Sequence, residues 1–145
     1  MTRYDIVYMK MARQWSELSL ARRKKVGALL VKNNTIIADG YNGTPSGFEN
    51  ECELPVFNEA GEFTDYETKW YVLHAESNAL AKVAKSTQSS EGSTLYVTLS
   101  PCRECSKLIL QAGIKRLVYL ETYRDSEGLE LLKKAGVEIV KISLD

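Results

Sequence analysis

The sequence predicts an α/β fold in three layers, with one β-sheet covered by helices on both faces. Three observations carry this expectation. From residue 94 onward, short apolar runs alternate with helical patterns, and strands joined through helices need crossovers that cover both faces of a sheet. Near the start, two apolar, partly β-branched runs flank Lys32-Asn33-Asn34, and asparagine tolerates the left-handed conformations of a tight turn. The chain has 145 residues, of which 44% are hydrophobic, enough for one domain around one core.

The elements follow in order. Thr2 is placed to cap a first helix, with Asp5 three residues on. Ile6, Met9, Ala12 and Leu20 outline its apolar face, to about Ser19. Residues 26–31 and 35–41 form the expected hairpin. Gly40-Tyr41-Asn42-Gly43-Thr44-Pro45-Ser46-Gly47 then breaks regular structure, and no period is sustained as far as Tyr71. A loop of about 30 residues is long for so small a domain, and such loops are often functional. Residues 76–84 are alanine-rich and read as a helix. Residues 94–99 read as a strand, 103–112 as a helix stopped by Gly113, and 117–121 as a strand. Residues 126–135 read as a helix stopped by Gly136, and 137–142 as the last strand.

Lys+Arg and Asp+Glu balance at 19 each, which argues against a nucleic-acid partner, since such binders carry a basic surplus. No apolar run approaches the roughly 18 residues of a membrane span. The first residues, Met1-Thr2-Arg3-Tyr4-Asp5, lack the apolar core of a secretory signal. Three cysteines, two of them spaced Cys-x-x-Cys, suit metal or redox chemistry in a reducing cytoplasm better than a disulfide framework.

Two motifs carry the chemistry: His74-Ala75-Glu76 and Pro101-Cys102-Arg103-Glu104-Cys105. One imidazole and two thiolates around zinc leave a fourth position for water, the arrangement of a reactive site. Both motifs fall where a helix is predicted to begin. The free N–H groups and positive dipole end there favour the thiolate that zinc needs. Glu76 is two residues from His74, a spacing that points side chains apart within a helix. With His74 at the helix start, Glu76 stands beside the water without ligating the metal and takes its proton.

Blander readings apply to each part. His74 is the single histidine of the chain, and a lone histidine is more often a packed or surface residue. Cys-x-x-Cys alone is often half of a structural zinc site or a redox pair. A closed site with Cys52 as fourth ligand is the main structural alternative, and it leaves Glu76 without a role. The order His-x-Glu, then Pro-Cys-x-x-Cys, is the signature of zinc-dependent nucleobase deaminases.

At these residues the chain resembles the cytidine deaminase superfamily. Gly40-Tyr41-Asn42-Gly43-Thr44-Pro45, Val26-Gly27-Ala28 and Tyr96-Val97-Thr98-Leu99-Ser100-Pro101-Cys102 are similar to deoxycytidylate (dCMP) deaminases of bacteriophage and bacterial type. The resemblance spans nearly the whole chain, which reads as one domain over residues 1–145. It implies a central five-stranded mixed sheet between helix layers. It implies zinc on His74, Cys102 and Cys105, with Glu76 as the catalytic proton shuttle in the deamination of dCMP to dUMP for thymidylate synthesis. The backbone N–H of Ala75 and a carbonyl near Ser100 would hold the base, Asn42 the sugar or phosphate end, and Tyr123 would lie near the nucleotide.

The same resemblance implies a hexamer activated by dCTP with Mg2+ and inhibited by dTTP. Arg22, Arg23 and Lys24, with Gly40, Asn42 and Gly43, are candidate effector contacts. The plain alternatives are a solvated helix end and a tight turn. Some phage members bind a second, structural zinc through extra His and Cys residues in the long insertion. Here that stretch holds Cys52 and no histidine, so one zinc per subunit is expected, in a cytoplasmic protein (host cytoplasm for a phage-encoded chain). Two other functions share the motifs: a nucleic-acid deaminase of the tRNA adenosine type, and a non-catalytic zinc-stabilised interaction module.

Overall fold

The computed structural model describes residues 2–145. Its elements run α1 (Arg3–Ser16), β1 (Gly27–Lys32), β2 (Thr35–Tyr41), β3 (Glu53–Phe57), β4 (Phe63–Thr68), α2 (Ala75–Ala84), β5 (Thr94–Leu99), α3 (Arg103–Gln111), β6 (Arg116–Glu121), α4 (Glu127–Lys134) and β7 (Glu138–Lys141). Five strands form one mixed sheet in the order β2-β1-β5-β6-β7. The β2-β1-β5 pairings are antiparallel and the β5-β6-β7 pairings parallel. The hairpin turn forms as expected: Asn33 and Asn34 adopt φ of 51° and 59°, the pair of positive values that a type I′ turn requires.

Side chains alternate across the sheet, as a period of two dictates. Leu29, Val31, Tyr96 and Val118 face α1, where Met9 and Ala12 are buried. Ala28, Leu30, Leu95, Val97 and Leu117 face the other layer, with Ala79 of α2, Ile109 of α3 and Leu132 of α4. The three predicted layers are therefore α1, the sheet, and α2 with α3 and α4.

Two glycines let the layers approach. A Cβ on Gly27 would lie 2.0 Å from the Ala12 carbonyl oxygen of α1, and one on Gly40 would lie 2.3 Å from that of Ala75 in α2. The obstacles are backbone atoms, so no rotamer relieves them. Gly40→Ala is expected to cost about 3 kcal/mol, read as a lower urea midpoint with an unchanged m-value. Activity should fall with it, because α2 carries Glu76.

Two expectations need correction. The first helix ends at Ser16 rather than near Ser19. Its last turn tightens through Leu18 N–H to the Trp15 carbonyl (3.1 Å), and the chain then turns so that the Ser19 hydroxyl donates to the Asn42 carbonyl (2.8 Å). Leu20, read as part of the apolar face, is 59% exposed. The second correction concerns the stretch read as loop. It contains a separate two-stranded sheet, β3 against β4. Nearly all of its residues are exposed, so no buried alternation marks it, and Pro55 sits inside β3. Proline is tolerated there because β3 is an edge strand. The visible signals were the turn at Asn58 and Gly61, the latter at φ 78°, and the flanking Phe57, Phe63 and Tyr66.

Candidate active site

The pairing of Gly27 with Tyr41 and of Ala28 with Val97 puts the start of β1 and the ends of β2 and β5 at one edge of the sheet. The parallel partner β6 ends there too. A cavity of about 370 Å³ opens at this edge, lined by Val26, Asn42, Ser100 and the Thr122-Tyr123-Arg124 segment after β6. Open α/β sheets bind ligands outside the carboxyl ends of their strands.

Both metal motifs sit at helix starts, as predicted. His74 is the N-cap of α2 and makes no side-chain cap bond, so its ring is free for other partners. Cys102 is the N-cap of α3, and its sulfur accepts the N–H of Cys105 at 3.4 Å. The His74 Nδ1 lies 3.6 Å from Cys102 Sγ and 3.3 Å from Cys105 Sγ. Zinc bonds of about 2.3 Å to sulfur and about 2.0–2.1 Å to nitrogen at tetrahedral angles hold such atoms about 3.6 Å apart. All three donor atoms lie within 4.8 Å of one another, close enough to share one zinc ion. Among the described residues this is the single group of metal-ligating side chains, and Cys52 is not in it. Cys52 is buried in the cavity wall with its thiol 3.8 Å from the Asn50 carbonyl. Burial and the nearby Glu53 raise its pKa.

The electrostatics set the two thiols apart. The neighbouring Cys105 thiol holds the Cys102 thiol down to about 3, helped by His74 and the Cys105 backbone N–H, while the proximity of Cys102 and burial push the Cys105 thiol up. Glu76 lies in the first turn of α2, lines the cavity and is 4% exposed. Burial pushes its carboxyl up to about 7, partly offset by a hydrogen bond from the backbone and, less, by His74. A carboxyl near neutrality both takes and returns a proton readily.

The other expected site residues are spread around the same space. Ala75 begins α2 and lines the cavity; amide N–H groups at a helix start have no intrahelical acceptor. The Ser100 hydroxyl accepts the N–H of Tyr123 at 2.6 Å, which ties the ends of β5 and β6 together and brings Tyr123 onto the cavity. The Asn42 side chain braces the strand ends: its Oδ1 accepts the Val26 N–H (2.9 Å) and its Nδ2 donates to the Lys24 carbonyl (2.8 Å). One amide hydrogen remains for another acceptor.

The candidate effector residues do not form one group. Arg23 and Lys24 line the cavity, with Lys24 paired to Glu121 at 2.6 Å. Arg22 turns away and pairs with Glu51 at 2.8 Å. Gly40 is buried under α2. Gly43 exchanges two backbone hydrogen bonds with Leu73. Sequence reasoning missed Glu53 and Arg124, which also line the cavity. Arg124 adjoins Tyr123, so the position was within reach; Glu53 lay in the stretch read as loop.

Three zinc donors with one position left open, beside a buried carboxylate at paired helix starts, define the site of a zinc-dependent nucleobase deaminase. The sequence comparison agrees with the geometry. The chain belongs to the cytidine and deoxycytidylate deaminase family, whose zinc-binding region matches residues 2–121. The deoxycytidylate deaminase of Enterobacteria phage T4 is 36% identical over 152 residues, covering 81% of this chain and 79% of the relative. The human deoxycytidylate deaminase is 39% identical over 141 residues, covering 92% and 76%. The crystal structure of dCMP deaminase from the cyanophage S-TIM5, in complex with dCMP and dUMP, matches with a TM-score of 0.86 at 48% identity, covering 98% of this chain and 99% of that one.

Proposed function

We propose that this chain, acting as a single domain, hydrolyses dCMP to dUMP and ammonia and so supplies thymidylate synthesis. The observation that carries the reading is one cavity lined by His74, Cys102 and Glu76 and also by Arg23, Lys24 and Arg124. The first set suits attack on an amidine carbon; the second suits a phosphate. His74, Cys102 and Cys105 would hold the zinc ion, which would supply a water of lowered pKa. Glu76 would take one proton from the attacking water and give it to N3 of the cytosine ring as C4 is attacked, then take the remaining hydroxyl proton and pass it to the departing amine. The Ala75 N–H holds the base carbonyl and the Ser100 carbonyl receives the amino group. Asn42 and Tyr123 bound the sugar and phosphate end.

The regulatory part of the proposal is activation by dCTP with Mg2+ and inhibition by dTTP in a homohexamer. It is supported by the likeness of Gly40-Tyr41-Asn42-Gly43-Thr44-Pro45 and by the basic run at Arg22, Arg23 and Lys24. One zinc per chain is proposed, and cytoplasmic placement, from three unpaired cysteines. No described helix is long and apolar enough to cross a membrane. The balanced charge and the mononucleotide-sized cavity favour a free nucleotide over a nucleic acid.

The test is ammonia release from dCMP, dCTP and deoxycytidine, each with and without dCTP or dTTP. Chelation should abolish turnover and added zinc restore it. Deoxycytidine should lose about a hundredfold in kcat/KM against dCMP, the worth of one or two charge-assisted hydrogen bonds to the phosphate. Equal turnover of the two would refute the phosphate assignment.

A further inference from the structure

Glu53 opens β3 and is 4% exposed, although the rest of that strand is exposed. A buried carboxylate needs donors. Its Oε2 has two, the backbone N–H groups of Arg22 (2.8 Å) and Arg23 (3.0 Å). The Arg22 side chain grips the same hairpin from outside. Its Nη1 donates to the Tyr66 hydroxyl at 3.0 Å, its Nη2 pairs with Glu51 at 2.8 Å, and its guanidinium carbon lies 5.1 Å from the Tyr66 ring centre. With Arg22 turned onto the hairpin, Arg23 and Lys24 line the cavity.

We infer that Glu53 is a positioning residue: it anchors the backbone at Arg22 and Arg23, so that Arg23 and Lys24 meet the phosphate of the substrate. The inference rests on the proposed dCMP reaction and gives the β3-β4 hairpin a part in it. The sign of the charge separates anchoring from electrostatics. Glu53 itself lines the cavity, so its negative charge opposes an anion. Removing that charge alone lowers KM for dCMP; removing the anchor raises it.

The experiment is steady-state kinetics of the zinc-loaded enzyme on dCMP and deoxycytidine. Glu53→Ala should raise KM for dCMP about tenfold while kcat, and kcat/KM for deoxycytidine, stay within about twofold. Glu53→Gln keeps an oxygen able to accept both N–H groups and should hold KM at or below the parent value. In an Arg23→Ala/Lys24→Ala double variant, adding Glu53→Ala should raise KM no further, because the anchor has nothing left to position and only its opposing charge is lost. Glu53→Asp retracts the same charge by one methylene and should raise KM about threefold; it carries the test if Glu53→Ala does not fold. A parental KM in Glu53→Ala or Glu53→Asp, an equal loss in Glu53→Gln, or an equal loss on deoxycytidine overturns the inference. A parent enzyme that turns over dCMP but does not prefer it to deoxycytidine overturns the phosphate assignment and this inference together, a result visible before any variant is made.

Discussion

Glu76→Gln is expected to lower kcat for dCMP by about 10²–10⁴-fold, the range that a positioned acid–base group contributes, while the bound zinc per chain stays at the parent level. The substitution is nearly isosteric and removes only the titrating oxygen. Glu76 is 4% exposed, and burial is the main cause of its raised pKa. A neutral amide at this place avoids the cost of burying an ionised carboxylate, so the variant should melt at the parent temperature or slightly above. Loss of activity with retained metal and undiminished stability separates a proton carrier from a structural group. Two results would sink the catalytic reading: a variant that keeps the parent kcat, or one that unfolds from a parent without deaminase activity. The second outcome is what a zinc-stabilised interaction module predicts.

The second large effect is on stability, at the far end of the sheet. Asp5 is 1% exposed and takes both terminal nitrogens of Arg116 at 2.7 and 2.8 Å, the Tyr96 hydroxyl at 2.6 Å and the Thr2 N–H at 3.0 Å. It joins α1 to β5 and β6. Arg116 holds the Asp5 carboxyl well below the usual carboxylate range, and Tyr96 and Thr2 add to this against the cost of burial. Asp5→Asn leaves Arg116 without its buried counter-charge and is expected to cost about 3–5 kcal/mol, a fall in Tm of about 10 °C or more. The pH dependence follows from the direction of the shift. A carboxyl whose folded pKa is depressed contributes stability that is complete above its unfolded pKa of about 3.9. That stability is lost as pH falls below this value towards the depressed one. The parent should therefore lose stability more steeply below about pH 4 than Asp5→Asn does. Parallel curves for the two proteins would show that the ion pair contributes nothing to the native state.

The alternating runs from Thr94 to the last strand were readable because each element buries one face, and burial imposes a period. The hairpin turn was readable at Asn33 and Asn34 because few residues other than glycine tolerate positive φ there. The metal donors were readable because the spacings His-x-Glu and Pro-Cys-x-x-Cys put them at helix starts, where local geometry alone decides which way they face. The β3-β4 hairpin was not readable: its side chains meet mostly water, so neither face constrains the residue types. Asp5 was legible as half of a capping box, which forms. Its partner Arg116 is 111 positions away, and no local pattern links the two.

Short-range periodicity and the chemistry of a few residue types were enough to specify the layered α/β fold, the zinc donors and the carboxylate beside them. What surrounds that carboxylate became visible only in the folded chain. There Asn42 braces the strand ends, Arg22 turns away while Arg23 and Lys24 line the cavity, and Glu53 reaches back from a separate hairpin to anchor them. These contacts join residues distant in the chain, and their partners are set by packing, which is a property of the folded whole.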